Sequence, residues 1–304
     1  MEYALITNNL TKQYKKQKAV NAVSLHVKRG EIYGFIGRNG AGKTTFMKMI
    51  SGLARPTDGS ITLFGHNGAE LKNYFSRIGT LIENPGIYPN MTAYQNMEAK
   101  CIAMGIYKKG YIEAILKSVH LDDTGKKKAK QFSLGMKQRL GIGLALIGEP
   151  DMLVLDEPIN GLDPQGIVEV RETLLQLNKE RKLTIMISSH ILEELSKLAD
   201  TYGIINDGQL IQEISREELS EKSKSYIKIE TDNIQQACMT LEKMSMTNYK
   251  VFDKKTVCLY EHLDKTAEIN QKLVMEGCMV SSISIVAEEL ENFYLQITGG
   301  QHNA

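Results

Sequence analysis

The sequence predicts an α/β fold: a mixed core sheet with an antiparallel β subdomain and a helical subdomain, followed by a small C-terminal α+β domain. Three observations carry this. Short apolar runs at 32–36, 152–155 and 183–189 read as strands buried on both faces, as in a parallel sheet. Helical periodicity dominates from about 85 to 148. Beyond about residue 215, strand and helix patterns alternate again without any further ligand cluster. The expected domains are therefore 1–215 and 216–304, and two domains suit a chain of 304 residues.

Residues 1 to about 30 alternate apolar and polar, as antiparallel strands do, most clearly over Ala22-Val23-Ser24-Leu25-His26-Val27. His26 falls on the polar side of that alternation and needs no special role. The run at 32–36 is followed by Gly37-Arg38-Asn39-Gly40-Ala41-Gly42-Lys43-Thr44, with Thr45 next. This matches the phosphate-binding loop G-x-x-x-x-G-K-[ST] at every fixed position. Strand before and helix after supply the context it needs, because a helix N-terminus presents unpaired N–H groups and partial positive charge to a phosphate. The glycines let the backbone approach closely. Lys43 is placed to reach the β- and γ-phosphates, and the Thr44 hydroxyl to ligate Mg²⁺. A Gly-rich turn before a helix that happens to carry lysine is the plain alternative, and the joint context disfavours it.

Downstream, Tyr88-Pro89-Asn90-Met91-Thr92 breaks any helix and opens the helical region, with helices expected at 93–104, 111–119 and 133–146. Met152-Leu153-Val154-Leu155-Asp156-Glu157-Pro158 is an apolar run ending in two carboxylates, the pattern of a buried strand delivering acids at its carboxyl end. Given the phosphate loop, Asp156 is expected to hold Mg²⁺ and Glu157 to polarise the attacking water as general base. Asn206-Asp207-Gly208-Gln209 signals a hairpin turn.

Between the loop and the acids lies Phe132-Ser133-Leu134-Gly135-Met136-Lys137-Gln138-Arg139. This resembles the signature of the ATPase subunits of ATP-binding-cassette (ABC) transporters, Leu-Ser-Gly-Gly-Gln running into a helix. Ser133 and Gly135 match; Phe132, Leu134 and Met136 depart from the commonest form. As an isolated feature, Ser133 would read as an ordinary helix N-cap. The resemblance spans about 1–215 and implies the α/β P-loop NTPase ABC cassette. It implies ATP and Mg²⁺ as ligands, with Asp163 in Asn160-Gly161-Leu162-Asp163 contacting an opposite subunit and His190 sensing the γ-phosphate. It implies Tyr14 stacking on adenine, an attraction of about 1–3 kcal/mol by analogy with base–aromatic stacking. By themselves, a histidine after a strand and a tyrosine are as readily structural.

One position departs informatively. Where the family usually has glutamine, Ile82-Glu83-Asn84 places Glu83. Glutamate brings a full negative charge and no donor, so it is expected to hold Mg²⁺ more tightly, unless it is simply tolerated. A glutamate here resembles the transporters that give bacteria immunity or resistance to lantibiotics and bacitracin. Together with Ser-Leu-Gly-Met-Lys-Gln-Arg, it favours an ATP-hydrolysing subunit of an exporter acting on such antimicrobial peptides. Another solute, an importer, or a soluble regulatory ABC ATPase are the alternatives.

Composition sets bounds. Lys plus Arg number 37 against 36 acids, a net charge of +1, which argues against nucleic-acid binding. The basic run Lys126-Lys127-Lys128-Ala129-Lys130 reads as a solvated loop, with phosphate steering as the weaker option. Cys101, Cys238, Cys258 and Cys278 are widely spaced, which fits reduced cytoplasmic thiols rather than a disulfide framework or a zinc site. No apolar run approaches the ~18–20 residues of a membrane span, and no signal peptide is indicated. The expected partners are a second ATPase subunit, as homodimer or pseudo-dimer with ATP between the copies, and integral membrane permease subunits. The expected place is the inner face of the cell membrane.

Overall fold

The computed structural model describes residues 2–222 and 225–286, together with positions 290, 294 and 297. The chain divides into two compact units, Met1–Arg216 and Glu217–Ala304.

In the first unit, β1 (Tyr3–Tyr14) and β2 (Gln17–Lys28) form a long antiparallel hairpin. In β2, Val23, Leu25 and Val27 are buried while Ser24 is half-buried and His26 faces solvent, close to the period of two of a strand. Next come β3 (Ile32–Ile36), buried along its whole length, and α1 (Lys43–Ile50). The chain then returns to the antiparallel sheet through β4 (Asp58–Leu63) and β5 (His66–Asn67), giving the order β2-β1-β4-β5. By pattern alone, residues from about 31 to 82 read as a single nucleotide-binding core with its first helix. The return was invisible because β4 buries only Ile61 and Leu63, too few positions to establish a period.

After β6 (Ile78–Leu81), the helical region consists of α2 (Ala93–Ala103), α3 (Tyr111–Ser118) and α4 (Leu134–Leu146). These match the expected helices to within a residue at each end. A capping box starts α2: Thr92 accepts from the Gln95 amide while the Gln95 side chain accepts from the Thr92 amide. The remaining elements are β7 (Met152–Asp156), α5 (Pro164–Arg181), β8 (Thr184–Ser189), α6 (Leu192–Ser196), β9 (Thr201–Asn206) and β10 (Gln209–Ser215). The core sheet runs β10-β9-β3-β8-β7-β6. All its pairings are parallel except β9 with β10, which turn through Asp207 and Gly208, both at positive φ. Phe35, Phe46, Val154 and Met186 join the core sheet to the antiparallel sheet in one apolar cluster with Leu5 and Val23. The carboxyl ends of β3, β7 and β8 thereby lie side by side.

Helix α7 (Arg216–Lys222) begins where the division falls. The second unit then comprises β11 (Tyr226–Thr231), α8 (Ile234–Lys243), β12 (Tyr249–Val251), β13 (Thr256–Leu259), α9 (Thr266–Met275) and β14 (Val280–Val286). Its sheet, β12-β13-β11-β14, is antiparallel throughout. This βαββαβ order is the split βαβ arrangement. Ile227, Ile229, Leu241, Val257, Ile269 and Leu273 form its core. The sequence pattern suggested β-α-β-α-β instead. The missing strand, β12, is three residues long and exposes two of them, so it leaves no alternation to read. The sequence from 287 to 297 reads as an amphipathic helix; most of it lies outside the described residues, and Leu290, Tyr294 and Ile297, which are described, are helical. The sequence reads 299–304 as a frayed tail, and that stretch lies outside the described residues entirely. The four cysteines are free thiols.

Candidate functional site

The loop between β3 and α1 is shaped by its glycines. Gly42 sits at φ +104°, and a Cβ there would drive into the Ala19 carbonyl oxygen. Gly40, at φ +85°, faces open space instead. The Gly208 amide donates to the Ala41 carbonyl at 3.0 Å, tying the loop to the β9–β10 turn. Lys43, only 5% exposed, donates from Nζ to the carbonyls of Gly37 at 2.6 Å and Arg38 at 3.3 Å.

The strand-borne acids meet this loop. The Thr44 hydroxyl donates to Asp156 Oδ2 at 2.7 Å, and the Ser188 hydroxyl donates to Asp156 Oδ1 at 2.6 Å. Ser188 Oγ also accepts from the Glu157 amide at 2.9 Å. Glu157, at φ +50°, turns its carboxylate between Lys43 and His190: Oε1 lies 3.1 Å from Lys43 Nζ and Oε2 lies 2.8 Å from His190 Nδ1. Oε1 is buried and, despite the ion-pair distance to Lys43, receives no aligned hydrogen bond. Lys43 Nζ makes its hydrogen bonds to the loop carbonyls. A buried acceptor without a donor, beside an ammonium drawn onto backbone oxygens, fits a site built around a further polar ligand.

That site is a cavity of about 410 Å³, within the usual range of ligand pockets. Asn39, Gly40, Gly42, Lys43, Thr44, Thr45 and Glu157, all among the residues the sequence singled out, line it. Gln17, Lys18 and Ala19 of β2, and Asp207 with Gly208, also line it and were not anticipated. A larger cleft of about 950 Å³, between Arg29, Phe64, Tyr111 and Thr184, opens at the amino ends of the core strands and contains none of the expected residues.

Several expected residues stand apart. Tyr14 ends β1 beside Gln17, is 51% exposed, and does not line the cavity; Lys12 Nζ lies 5.1 Å from its ring centroid. Glu83, at φ +65°, is 63% exposed and pairs with Lys48 Nζ at 2.5 Å rather than with Thr44 or Asp156. The hydrogen bond that Lys48 donates to that carboxylate raises the pKa of the ammonium above its ordinary value. Ser133 caps α4, accepting from the Met136 amide at 3.2 Å, and Asp163 caps α5, accepting from the Gly166 amide at 3.2 Å. Gly135 packs against Gly166, and Arg139 pairs with Glu169 at 3.0 Å, so these two helix starts are braced together. Ser133, Gly135 and Asp163 form a second group, away from the cavity wall. Ser188 escaped the sequence reading, although a hydroxyl ending a fully buried strand was a signal to follow.

A phosphate loop whose lysine and threonine meet a strand-end acid pair and a histidine defines a P-loop ATP-binding cassette. The family model described as "ABC transporter" matches residues 20–160. The chain is 42% identical over 302 residues to the bacitracin transport ATP-binding protein BcrA of Enterococcus faecalis, covering 99% of this chain and 98% of that protein. It is 45% identical over 205 residues to the lantibiotic transport ATP-binding protein SrtF of Streptococcus pyogenes, covering 67% and 88%. Among solved structures it resembles the cassette MJ0796 in a dimeric post-hydrolysis state bound to ADP and Pi. That likeness has a TM-score of 0.63 at 25% identity and covers 70% of this chain and 98% of that one. The chain belongs to the family of ABC transporter ATP-binding proteins and is a transport ATPase. Among the described residues, no helix is long and apolar enough to cross a membrane.

Proposed function

We propose that this subunit hydrolyses ATP to drive export of, or immunity to, an antimicrobial peptide of the bacitracin or lantibiotic kind. The observation that carries this is the 42% identity to a bacitracin transport protein along the whole chain, second unit included. Residues 1–215 act as the ATP-binding domain and 216–304 as an accessory domain.

In this reading the loop Gly37, Arg38, Asn39, Gly40, Ala41, Gly42 wraps the phosphates with backbone amides, and Thr45 extends the helix start. Lys43 releases the Gly37 and Arg38 carbonyls to bind the β- and γ-phosphates. Thr44 and Asp156, already joined at 2.7 Å, hold Mg²⁺, with Glu83 as a further ligand once it leaves Lys48. Held there, such an ion would supply charge neutralisation at the phosphate oxygens. Glu157 accepts the proton of the attacking water, and His190 holds Glu157 Oε2 while reaching the γ-phosphate. Tyr14 packs on the adenine.

Ser133, Gly135 and Asp163 complete the site of a second copy, which explains why they stand away from this chain's own cavity. The helical region docks on membrane permease subunits, placing the cassette at the inner face of the cell membrane.

The test is growth inhibition by a panel of bacitracin and lantibiotics, in cells lacking this subunit or carrying it as wild type or as Glu157→Gln. Protection restored by the wild type alone supports the reading. Identical inhibition in all three strains removes the peptide assignment and leaves the ATPase.

A further inference from the structure

From the geometry of Ser188 we infer that it is the positioning residue that couples the two strand-end acids during ATP hydrolysis. The inference rests on the roles given above to Asp156 and Glu157. Ser188 is fully buried and lies in parallel register beside Asp156, on the neighbouring strand. Its single hydroxyl serves two partners at once: the proton goes to Asp156 Oδ1 at 2.6 Å, and a lone pair receives the Glu157 N–H at 2.9 Å.

Each of these bonds fixes something the reaction needs. With Thr44 on Oδ2 and Ser188 on Oδ1, the Asp156 carboxylate is pinned at both oxygens and cannot rotate about its Cβ–Cγ bond without breaking a buried hydrogen bond. Glu157 sits at φ +50°, a left-handed backbone that is strained for a residue with a side chain, so something must hold it there. Ser188 does so by accepting the Glu157 amide, and the left-handed turn is what aims the Glu157 carboxylate back between Lys43 and His190. One hydroxyl therefore sets the spacing between the metal-holding acid and the acid that takes the water's proton. Loss of that hydroxyl leaves a buried N–H and a buried carboxylate oxygen each short of a partner. Nothing in this arrangement asks Ser188 to touch ATP, so it acts on the rate of hydrolysis and not on nucleotide affinity.

The test separates the hydroxyl from side-chain size. Full-length Ser188→Thr, Ser188→Val and Ser188→Ala are compared with wild type for kcat, ATP affinity and melting temperature. Thr and Val share one shape and differ in the hydroxyl, and a β-branched residue suits a strand. The expected grouping is by chemistry: Ser and Thr hydrolyse within about threefold of each other, while Ala and Val fall at least roughly tenfold in kcat with ATP affinity within about threefold of wild type. Grouping by size, with Thr and Val both slow and Ala at the wild-type rate, overturns the inference. Equal rates in all variants overturn it too, as does a kcat loss that merely follows a lowered melting temperature. Glu157→Gln measured in parallel separates the two levels of the account. If that variant keeps the wild-type rate, the roles of the acids fail; if it is inactive while Ser188→Val is unaffected, only the role of Ser188 fails.

Discussion

The two units are made from the same kinds of element, apolar strands packed against amphipathic helices, yet among the described residues only the first concentrates reactive groups. In the first, β3, β7 and β8 run parallel, so their carboxyl ends arrive together and place Thr44, Asp156, Glu157, Ser188 and His190 within a few hydrogen bonds of one another. In the second, every strand pairing is antiparallel, so neighbouring strands end on opposite sides. Its charged pairs, Lys228 with Glu230 at 2.6 Å and Lys243 with Glu276 at 2.7 Å, lie on accessible faces rather than in a cavity. Parallel topology at a strand-end crevice makes a site, and equal burial of apolar residues elsewhere does not.

The sharpest way to break this contrast is at Lys43. Its ammonium is buried among Gly37, Arg38 and Glu157, and Lys43→Ala is expected to lower hydrolysis by roughly a hundredfold or more, measured as phosphate release. A near-normal rate would mean that the buried network is only a structural ion pair.

The second unit should respond in stability instead. Leu273→Ala empties part of the Ile227–Leu241–Ile269 cluster and is expected to cost about 2–5 kcal/mol of that unit's unfolding free energy in denaturant titration. Hydrolysis per folded molecule should stay at the wild-type level. Loss of hydrolysis at unchanged stability would show that the second unit takes part in the chemistry.

The smallest effect is expected where the site meets solvent. Glu83 is held by Lys48 at 2.5 Å, an exposed pair worth up to about 1 kcal/mol. Glu83→Gln should therefore raise the Mg²⁺ concentration for half-maximal hydrolysis by up to about fivefold, and Lys48→Met, which frees the carboxylate, should lower it. Superimposable metal titrations for all three proteins would show that Glu83 holds no metal.

How much of this was legible in the sequence follows the range of the interactions involved. The phosphate loop was readable because its spacing is local: Gly42 is obliged to be glycine by φ +104° and the adjacent Ala19 carbonyl, and Lys43 follows directly. Asp156 and Glu157 were readable as acids at the end of a buried strand, and only the phosphate loop upstream gave that pair a suggested use. Ser188 was not, because its two partners lie about thirty residues upstream and meet it only through the β7–β8 register. The pairing of Glu83 was hidden for a related reason. Residue type announced a charge, but Lys48, on the face of α1 below the loop, determines where that charge rests. Strand β12 and the return of β4 to the antiparallel sheet were lost to brevity, since a period cannot be read from two or three positions.

In the proposed function, the carboxyl ends of the parallel strands carry out ATP hydrolysis through Glu157. The most direct test is nucleotide binding and phosphate release measured side by side on full-length wild type and Glu157→Gln. The account predicts ATP affinity within about threefold of wild type and hydrolysis lowered by about 10²- to 10⁴-fold, the contribution of a positioned general base. Hydrolysis at the wild-type rate in the Gln variant would contradict it.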